Sequence, residues 1–271
     1  MPAMAIDGAE MHYEEVGSGP PLLFGHSYLW DRRMWMPQVE HLCARYRCIV
    51  PDLWAHGRSG PPPRAIDLGS IAEHHHALMK GLGIGRYAVA GLSIGGMWGL
   101  RLALRHPEAV AALAVFNTSA SAEPPIPRAR YLSLLGGVPH LPRIPRKILA
   151  TVVMSYFSPR SHKTRLPLLK RFMAVLEAYP RSRWVYLSAL GRSLFARQDI
   201  LDQVGAIKAP LAVVVGEDDA YRPVRESEAL AAAVPGATLT VLPEAGHISN
   251  LEQVEKVNAL LDDFLGAHWA G

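Results

Sequence analysis

Residues 86–106 read RYAVAGLSIGGMWGLRLALRH. The opening half is a short apolar run suited to a buried strand, and the closing half has the apolar spacing of a helix. Between them Gly91-Leu92-Ser93-Ile94-Gly95 fits the pattern G-x-S-x-G. The chemistry asks for that context. A nucleophilic serine must sit on a sharp, strained strand-to-helix turn, and glycines two residues to either side let the backbone pass without Cβ clashes. Ser93 then projects its hydroxyl above the sheet. The backbone N–H of Ile94 can point at a developing oxyanion, helped by the positive end of the following helix. A bare G-x-S-x-G also arises by chance, with the serine as a turn residue or helix N-cap, but the strand and helix flanks favour the nucleophile.

Outward from this turn, further apolar runs end at Gly, Asp, Asn or Ser: PPLLFGHS (20–27), CIVPDLW (48–54), AALAVFNTS (111–119), LAVVVGEDD (211–219) and ATLTVLPEAGH (237–247). Such runs predict parallel strands buried on both faces. Helical patterns such as WDRRMWMPQVEHLCARY, IAEHHHALMKGLG and VRESEALAAAV lie between most of them, so the sheet is covered on both sides. AMAID and MHYEEVG add an antiparallel edge hairpin. The alternation breaks once. Residues 120–203 carry no buried-strand run but many prolines and helical stretches such as KILATVVMSYF and LLKRFMAVLEAY. The expected organisation is an α/β core of residues 1–119 and 204–271 with a helical lid at 120–203, standing over the strand ends where ligands of open α/β sheets bind.

The 271 residues, 49% hydrophobic and 19% charged, suit one globular domain with an insertion. The N-terminus lacks a basic segment followed by an apolar stretch, and no run of 18 apolar residues occurs, so no transmembrane segment and a cytoplasmic location are expected. Cys43 and Cys48 read as reduced thiols at core positions, one near a helix end and one in the next strand. The net charge of +4 is unevenly spread: residues 120–200 hold 14 Lys/Arg against three acids, leaving 14 against 21 elsewhere.

The stretches PLLFGHSYLWDRRMW, PDLWAHGRSG, AGLSIGGMWGLRLALRHPEAV, VGEDDAYRP and EAGHISNLEQVEKVNALLDDFL resemble the α/β-hydrolase superfamily over nearly the whole chain outside the lid. The likeness is greatest to the serine esterase and lactonase branch that includes 3-oxoadipate enol-lactonases and pimeloyl-carrier-protein methyl esterase. It implies an α/β fold with a mostly parallel eight-stranded sheet, and hydrolysis of a carboxylic ester or lactone through an acyl-enzyme on Ser93.

An alcohol needs an imidazole within hydrogen-bond reach to become a nucleophile. His247, after the last strand and just before the final helix, is the best placed of twelve histidines, and the order Ser, acid, His is that of the superfamily. A solvated loop histidine is the competing reading. The acid belongs at the end of the preceding strand, where Glu217, Asp218 and Asp219 stand together. The superfamily pattern G-x-x-D aligns Gly216 with Asp219, with Asp218 the alternative. The second oxyanion donor falls by position on the backbone N–H of Tyr28, although Ser27 stands where the family usually has glycine. His74, His75 and His76 fall on a helix with side chains about 100° apart, cannot converge on one metal, and read as surface or half-buried residues. His56 reads as ordering the turn after its strand, and His41 and His106 as helix-end residues.

No dinucleotide fingerprint, P-loop or Cys/His cluster occurs, so neither cofactor nor metal is expected. A serine at position 93 disfavours the aspartate-nucleophile chemistry of dehalogenases and epoxide hydrolases. The alternatives are a C–C bond hydrolase using the same triad and a noncatalytic binding protein of the same fold. The expected partner is a small-molecule ester or lactone. The basic lid adds an attraction for an anionic or carrier-bound one, such as an acyl-carrier protein, a coenzyme A ester, a carboxylate or anionic lipid, with a plain solvated surface as the competing reading. Nucleic acid is not expected, for want of a recognition motif.

Overall fold

The computed structural model describes residues 2–270. The chain opens with the hairpin β1 (Ala3–Ile6) and β2 (Ala9–Val16), then runs β3 (Pro21–Gly25), α1 (Met36–Leu42), β4 (Arg47–Pro51), α2 (Leu68–Gly81), β5 (Tyr87–Leu92), α3 (Ile94–Arg105) and β6 (Val110–Phe116). Five helices follow without a strand: α4 (Pro125–Gly137), α5 (Arg146–Tyr156), α6 (Pro159–Thr164), α7 (Leu166–Ala178) and α8 (Arg181–Phe195). The alternation then resumes with β7 (Leu211–Gly216), α9 (Val224–Ala233), β8 (Thr238–Leu242), α10 (Ser249–Glu252) and α11 (Val254–His268).

The eight strands form one sheet in the order β1-β2-β4-β3-β5-β6-β7-β8. Pairing is antiparallel for β1/β2 and β2/β4 and parallel from β4 to β8. Every residue of β5, β6 and β7 is buried, as near-continuous apolar strands require when helices cover both faces. Helix α3 packs on α2, β3, β5 and β6, whereas α11 packs on α1 and β6. One strand departs from the sequence reading. The apolar run in 237–247 forms β8, but β8 is the sheet edge, with Thr238, Leu239 and Val241 exposed. Its register against β7 leaves one side without a neighbouring strand, which apolarity alone could not show.

The turn at Ser93 sits where β5 meets α3, and the start of α3 passes directly over the end of β3. A Cβ on Gly95 would lie 2.2 Å from the Gly25 carbonyl oxygen, and one on Gly91 would lie 2.4 Å from the Gly95 carbonyl oxygen. Both obstacles are backbone, so neither can swing aside. Gly95→Ala is therefore expected to destabilise the fold by about 1–3 kcal/mol through overpacking, read as a lower urea midpoint with an unchanged m-value. A variant as stable as wild type would show that the helix has more room than this geometry allows.

Candidate active site

Ser93, Asp219 and His247 follow β5, β7 and β8 at the carboxyl ends of those strands. Tyr28 follows β3 and His56 follows β4 at the same sheet edge. Such an edge is where loops from different strands converge on a ligand.

Ser93 has φ 57 and ψ −116, a conformation costing a non-glycine residue about 1–3 kcal/mol unless its surroundings hold it. Its N–H donates to the Phe116 carbonyl at 2.8 Å, and its own carbonyl accepts from Thr118 Oγ1 at 2.8 Å. The end of β6 thus pins the turn. Ile94 begins α3, so its N–H has no partner within the helix.

Asp219 is buried, while Asp218 and Glu217 are exposed. Asp219 Oδ1 accepts the N–H groups of Tyr221 and Arg222 at 2.8 and 2.9 Å, and Oδ2 accepts from Asn117 Nδ2 at 2.8 Å. His247 Nδ1 lies 2.9 Å from Oδ2 and 3.1 Å from Oδ1. A carboxylate in that position favours the tautomer with the proton on Nδ1, which leaves the Nε2 lone pair as the ring's acceptor. The structure thus brings His247 and Asp219 together. Ser93 and His247 line one small cavity of about 30 Å³, with Tyr28, Tyr156, Tyr221 and Arg222 among its walls.

The helical insertion takes part in this arrangement. The Tyr156 carbonyl, at the end of α5, accepts the His247 N–H at 2.9 Å, and the Tyr156 hydroxyl donates to the Tyr28 carbonyl at 3.1 Å. Its ring stands edge-on to the imidazole at 5.1 Å. Buried Glu252 accepts from Gly246 N–H on one oxygen and from Ser158 N–H and Oγ on the other. Glu123, at the start of the insertion, joins Arg222 beside the acid to Arg197 near the insertion's end, with N–O distances of 2.8–2.9 Å and all three side chains buried.

The loop after β3 is held by two histidines. His26 donates from Nδ1 to the Ser27 carbonyl and accepts the Leu53 N–H on Nε2, both at 2.8 Å. His56 donates from Nδ1 to the Trp54 carbonyl and accepts the Leu29 N–H on Nε2, both at 2.9 Å. Each loop therefore supplies an imidazole that binds the backbone of the other. Ser27 is accommodated because the positive φ falls on Leu29, at 68, while the Ser27 N–H packs against Met34 Sδ. The Tyr28 N–H has no hydrogen-bond partner among the described residues.

Sequence reasoning missed Tyr156, Asn117, Glu252 and the reach of His56 to Leu29. Only Asn117 left a local signal, as an Asn that ends a strand and adopts φ 48. His74 and His75 need correction, since both are buried rather than surface or half-buried. His74 Nδ1 accepts from Trp54 Nε1 at 2.9 Å, and His75 stacks on Trp98 at 4.1 Å while Nδ1 donates to the Ile71 carbonyl. His75 faces α3 and His74 faces the loop after β4, contacts that helical periodicity alone did not reveal. Cys48 is buried in β4, and burial pushes its thiol up to about 12, whereas Cys43, at the end of α1, is half-buried.

The small cavity shares Tyr28, Tyr156, Phe195 and Tyr221 with a neighbouring cavity of about 580 Å³. The larger space is walled mainly by apolar side chains of the insertion, among them Leu135, Ile144, Leu149, Val152 and Trp184.

A parallel sheet with a strained serine turn and a buried carboxylate–imidazole pair at its strand ends defines a hydrolase of α/β architecture. The family described as "alpha/beta hydrolase fold" matches residues 20–254, and the chain belongs to it. The chain is 28% identical to a 3-oxoadipate enol-lactonase of Acinetobacter baylyi, over 88% of this chain and 86% of that one, and 28% identical to a putative carbamate hydrolase of Klebsiella pneumoniae over 86% of each. Among solved structures, a thermophilic esterase from Thermogutta terrifontis superimposes with a TM-score of 0.88 at 28% identity, covering 96% of this chain and 94% of that one. The enol-lactonase of Burkholderia xenovorans gives 0.84 at 28% identity, covering 98% and 100%.

Burial holds several imidazoles neutral. Desolvation pulls His56 and His75 down to about 3 from the usual 6.5, and lowers His26 in the same direction. The unfolded chain binds more protons than the native one between those values. The stabilisation from neutral burial is therefore complete above pH 6.5 and is lost as pH falls from there through about 3, with a slope of up to about 1.4 kcal/mol per pH unit per group. Urea titrations from about pH 7 to about pH 4 should show stability falling with acid, and His75→Gln should flatten the slope. An unchanged slope in that variant would contradict this assignment.

Proposed function

We propose that the protein is a serine hydrolase that cleaves a carboxylic ester or lactone, with Ser93 as nucleophile, His247 as general base and Asp219 as the orienting acid. The observation that carries this reading is the doubly bonded contact of His247 Nδ1 with Asp219 in a cavity that also receives Ser93. In this reading Nε2 takes the Ser93 proton as Oγ attacks the acyl carbon. The backbone N–H groups of Tyr28 and Ile94 receive the oxyanion. The proton on Nε2 then passes to the departing alkoxide, and water activated by His247 releases the acid from Ser93. The relatives are named for a carbamate, an enol-lactone and an ester activity, which supports this reading. Residues 120–203 act as a cap over a core formed by 1–119 and 204–271, and a cytoplasmic location belongs to the same reading.

Ser93→Ala should keep the fold and abolish both ester turnover and labelling by a fluorophosphonate. Asp219→Asn should lower kcat by about 10⁴-fold, whereas Asp218→Asn should stay near wild type because its carboxylate faces solvent. Undiminished turnover in Ser93→Ala, or an inactive Asp218→Asn beside an active Asp219→Asn, would overturn the assignment.

The cavity beyond the Tyr28–Tyr156–Tyr221 wall suits an apolar acyl or alcohol chain. With p-nitrophenyl esters, kcat/KM should rise with chain length until the cavity is filled, by roughly fourfold per methylene at about 0.8 kcal/mol each. Val152→Trp, which fills part of that space, should shift the preference to shorter chains. Equal rates for all lengths in wild type would assign the substrate to another path.

A further inference from the structure

The insertion carries an outward face that its own packing leaves unexplained. Seven of the nine large hydrophobic residues exposed among the described residues lie on its helices, led by Ile126 at 84% and Leu134 at 58% exposed. Helix α4 has no buried residue at all. A polar outer face is what an inserted helix normally presents, and contiguous exposed apolar surface marks an interaction site. Ile126, Arg130 and Leu134 recur every four residues, so they form one stripe along α4.

The insertion is also basic. Residues 120–200 hold 14 Lys/Arg against three acids, and Glu177, one of the three, is paired with Arg146 at 2.8 Å while Glu123 is buried among arginines. Arg128 and Lys147 are exposed and form no ion pair among the described residues. Arg130, Leu134 and Ile148 belong both to this exposed face and to the lining of the 580 Å³ cavity. Exposed apolar and basic side chains of α4 and the start of α5 therefore flank the larger cavity.

From this juxtaposition we propose that α4 and the start of α5 dock on an anionic lipid surface. The exposed apolar side chains enter the acyl–headgroup boundary, and Arg128, Lys147 and their neighbours pair with lipid phosphates. The proposed contact is peripheral; no helix of the described residues is long and apolar enough to cross a membrane. Docking sets the larger cavity against the interface, where an amphiphilic ester can pass to Ser93 without crossing water; this last consequence rests on the hydrolase reading, whereas the docking itself does not. A second copy of the chain is the main rival occupant, because the rest of the molecule is net acidic. It offers less apolar surface to match: Leu239 and Val241 on edge strand β8 are the large exposed hydrophobics outside the insertion among the described residues.

The test is co-sedimentation of Ser93→Ala protein with vesicles of phosphatidylglycerol mixed into phosphatidylcholine, against vesicles of phosphatidylcholine alone. The anionic vesicles should bind the protein and the neutral ones should not, and added salt should weaken binding as screening shortens to about 8 Å or less. Arg128→Glu with Lys147→Glu should reduce binding roughly tenfold or more, and Ile126→Asn should reduce it without altering the charge. In the Ser93-bearing protein both changes should leave turnover of a short, soluble ester unchanged. Equal binding to both vesicle types, indifference to the charge reversals, or a salt-sensitive dimer that binds no vesicle would overturn the proposal. Absence of ester turnover in wild type, with anionic vesicle binding intact, would instead count against the hydrolase reading alone.

Discussion

The close approach of two backbones sets up the rest of the site. Helix α3 starts so near the end of β3 that a single methyl group on Gly95 would meet a carbonyl oxygen at 2.2 Å. Ile94, the residue before Gly95, opens α3 at this point, and the preceding Ser93 takes a positive φ. The strain is local, but its support comes from β6 through Phe116 and Thr118. A strained turn can persist only where neighbouring elements over-determine it, so the central strands stabilise the serine's geometry as well as the core.

The insertion is structurally part of the site beneath it. Tyr156 touches both the imidazole loop and the loop after β3, while Glu252 ties Ser158, between α5 and α6, to the loop that carries His247, and Glu123 ties both ends of the insertion, through itself and Arg197, to Arg222 beside Asp219. These are buried, charge-assisted bonds, whose loss would leave uncompensated groups at the centre of the molecule. A displaced insertion would therefore disturb the orientation of His247 and the position of Tyr28 together. The same helices line the apolar cavity, so the His247 loop and the cavity share one mechanical support.

Buried neutral imidazoles provide a second level of support. His26 and His56 each use one nitrogen as donor and one as acceptor, which only the uncharged ring allows. Desolvation, the largest influence on both, keeps them in that form at neutral pH. They cross-brace the loops after β3 and β4 and hold Leu29 in its positive-φ conformation without glycine.

Much of the fold was legible in local sequence. Apolar runs of strand length mark the six strands from β3 to β8, AMAID and MHYEEVG mark the hairpin, and the strandless interval after Asn117 marks the insertion, because each signal lies within one element or turn. Ser93 was legible for the same reason: the turn needs its glycines within two residues. His247 and Asp219 were picked out by chain order and family resemblance, with Asp218 as the alternative; the structure buries Asp219 beside His247 and leaves Asp218 exposed. Other features depend on which surfaces meet. The edge position of β8, the burial of His74 and His75 and the reach of Tyr156 to two loops are decided by packing between segments distant in sequence. A residue's partner across 91 or 128 positions, as for Tyr156 with His247 and Tyr28, leaves no periodicity along the chain. The sequence by itself determined which elements form and where the strained serine turn stands, since those rest on local backbone constraints; only the tertiary structure decided which groups surround and hold that turn, because their bonds exist only once the elements have packed.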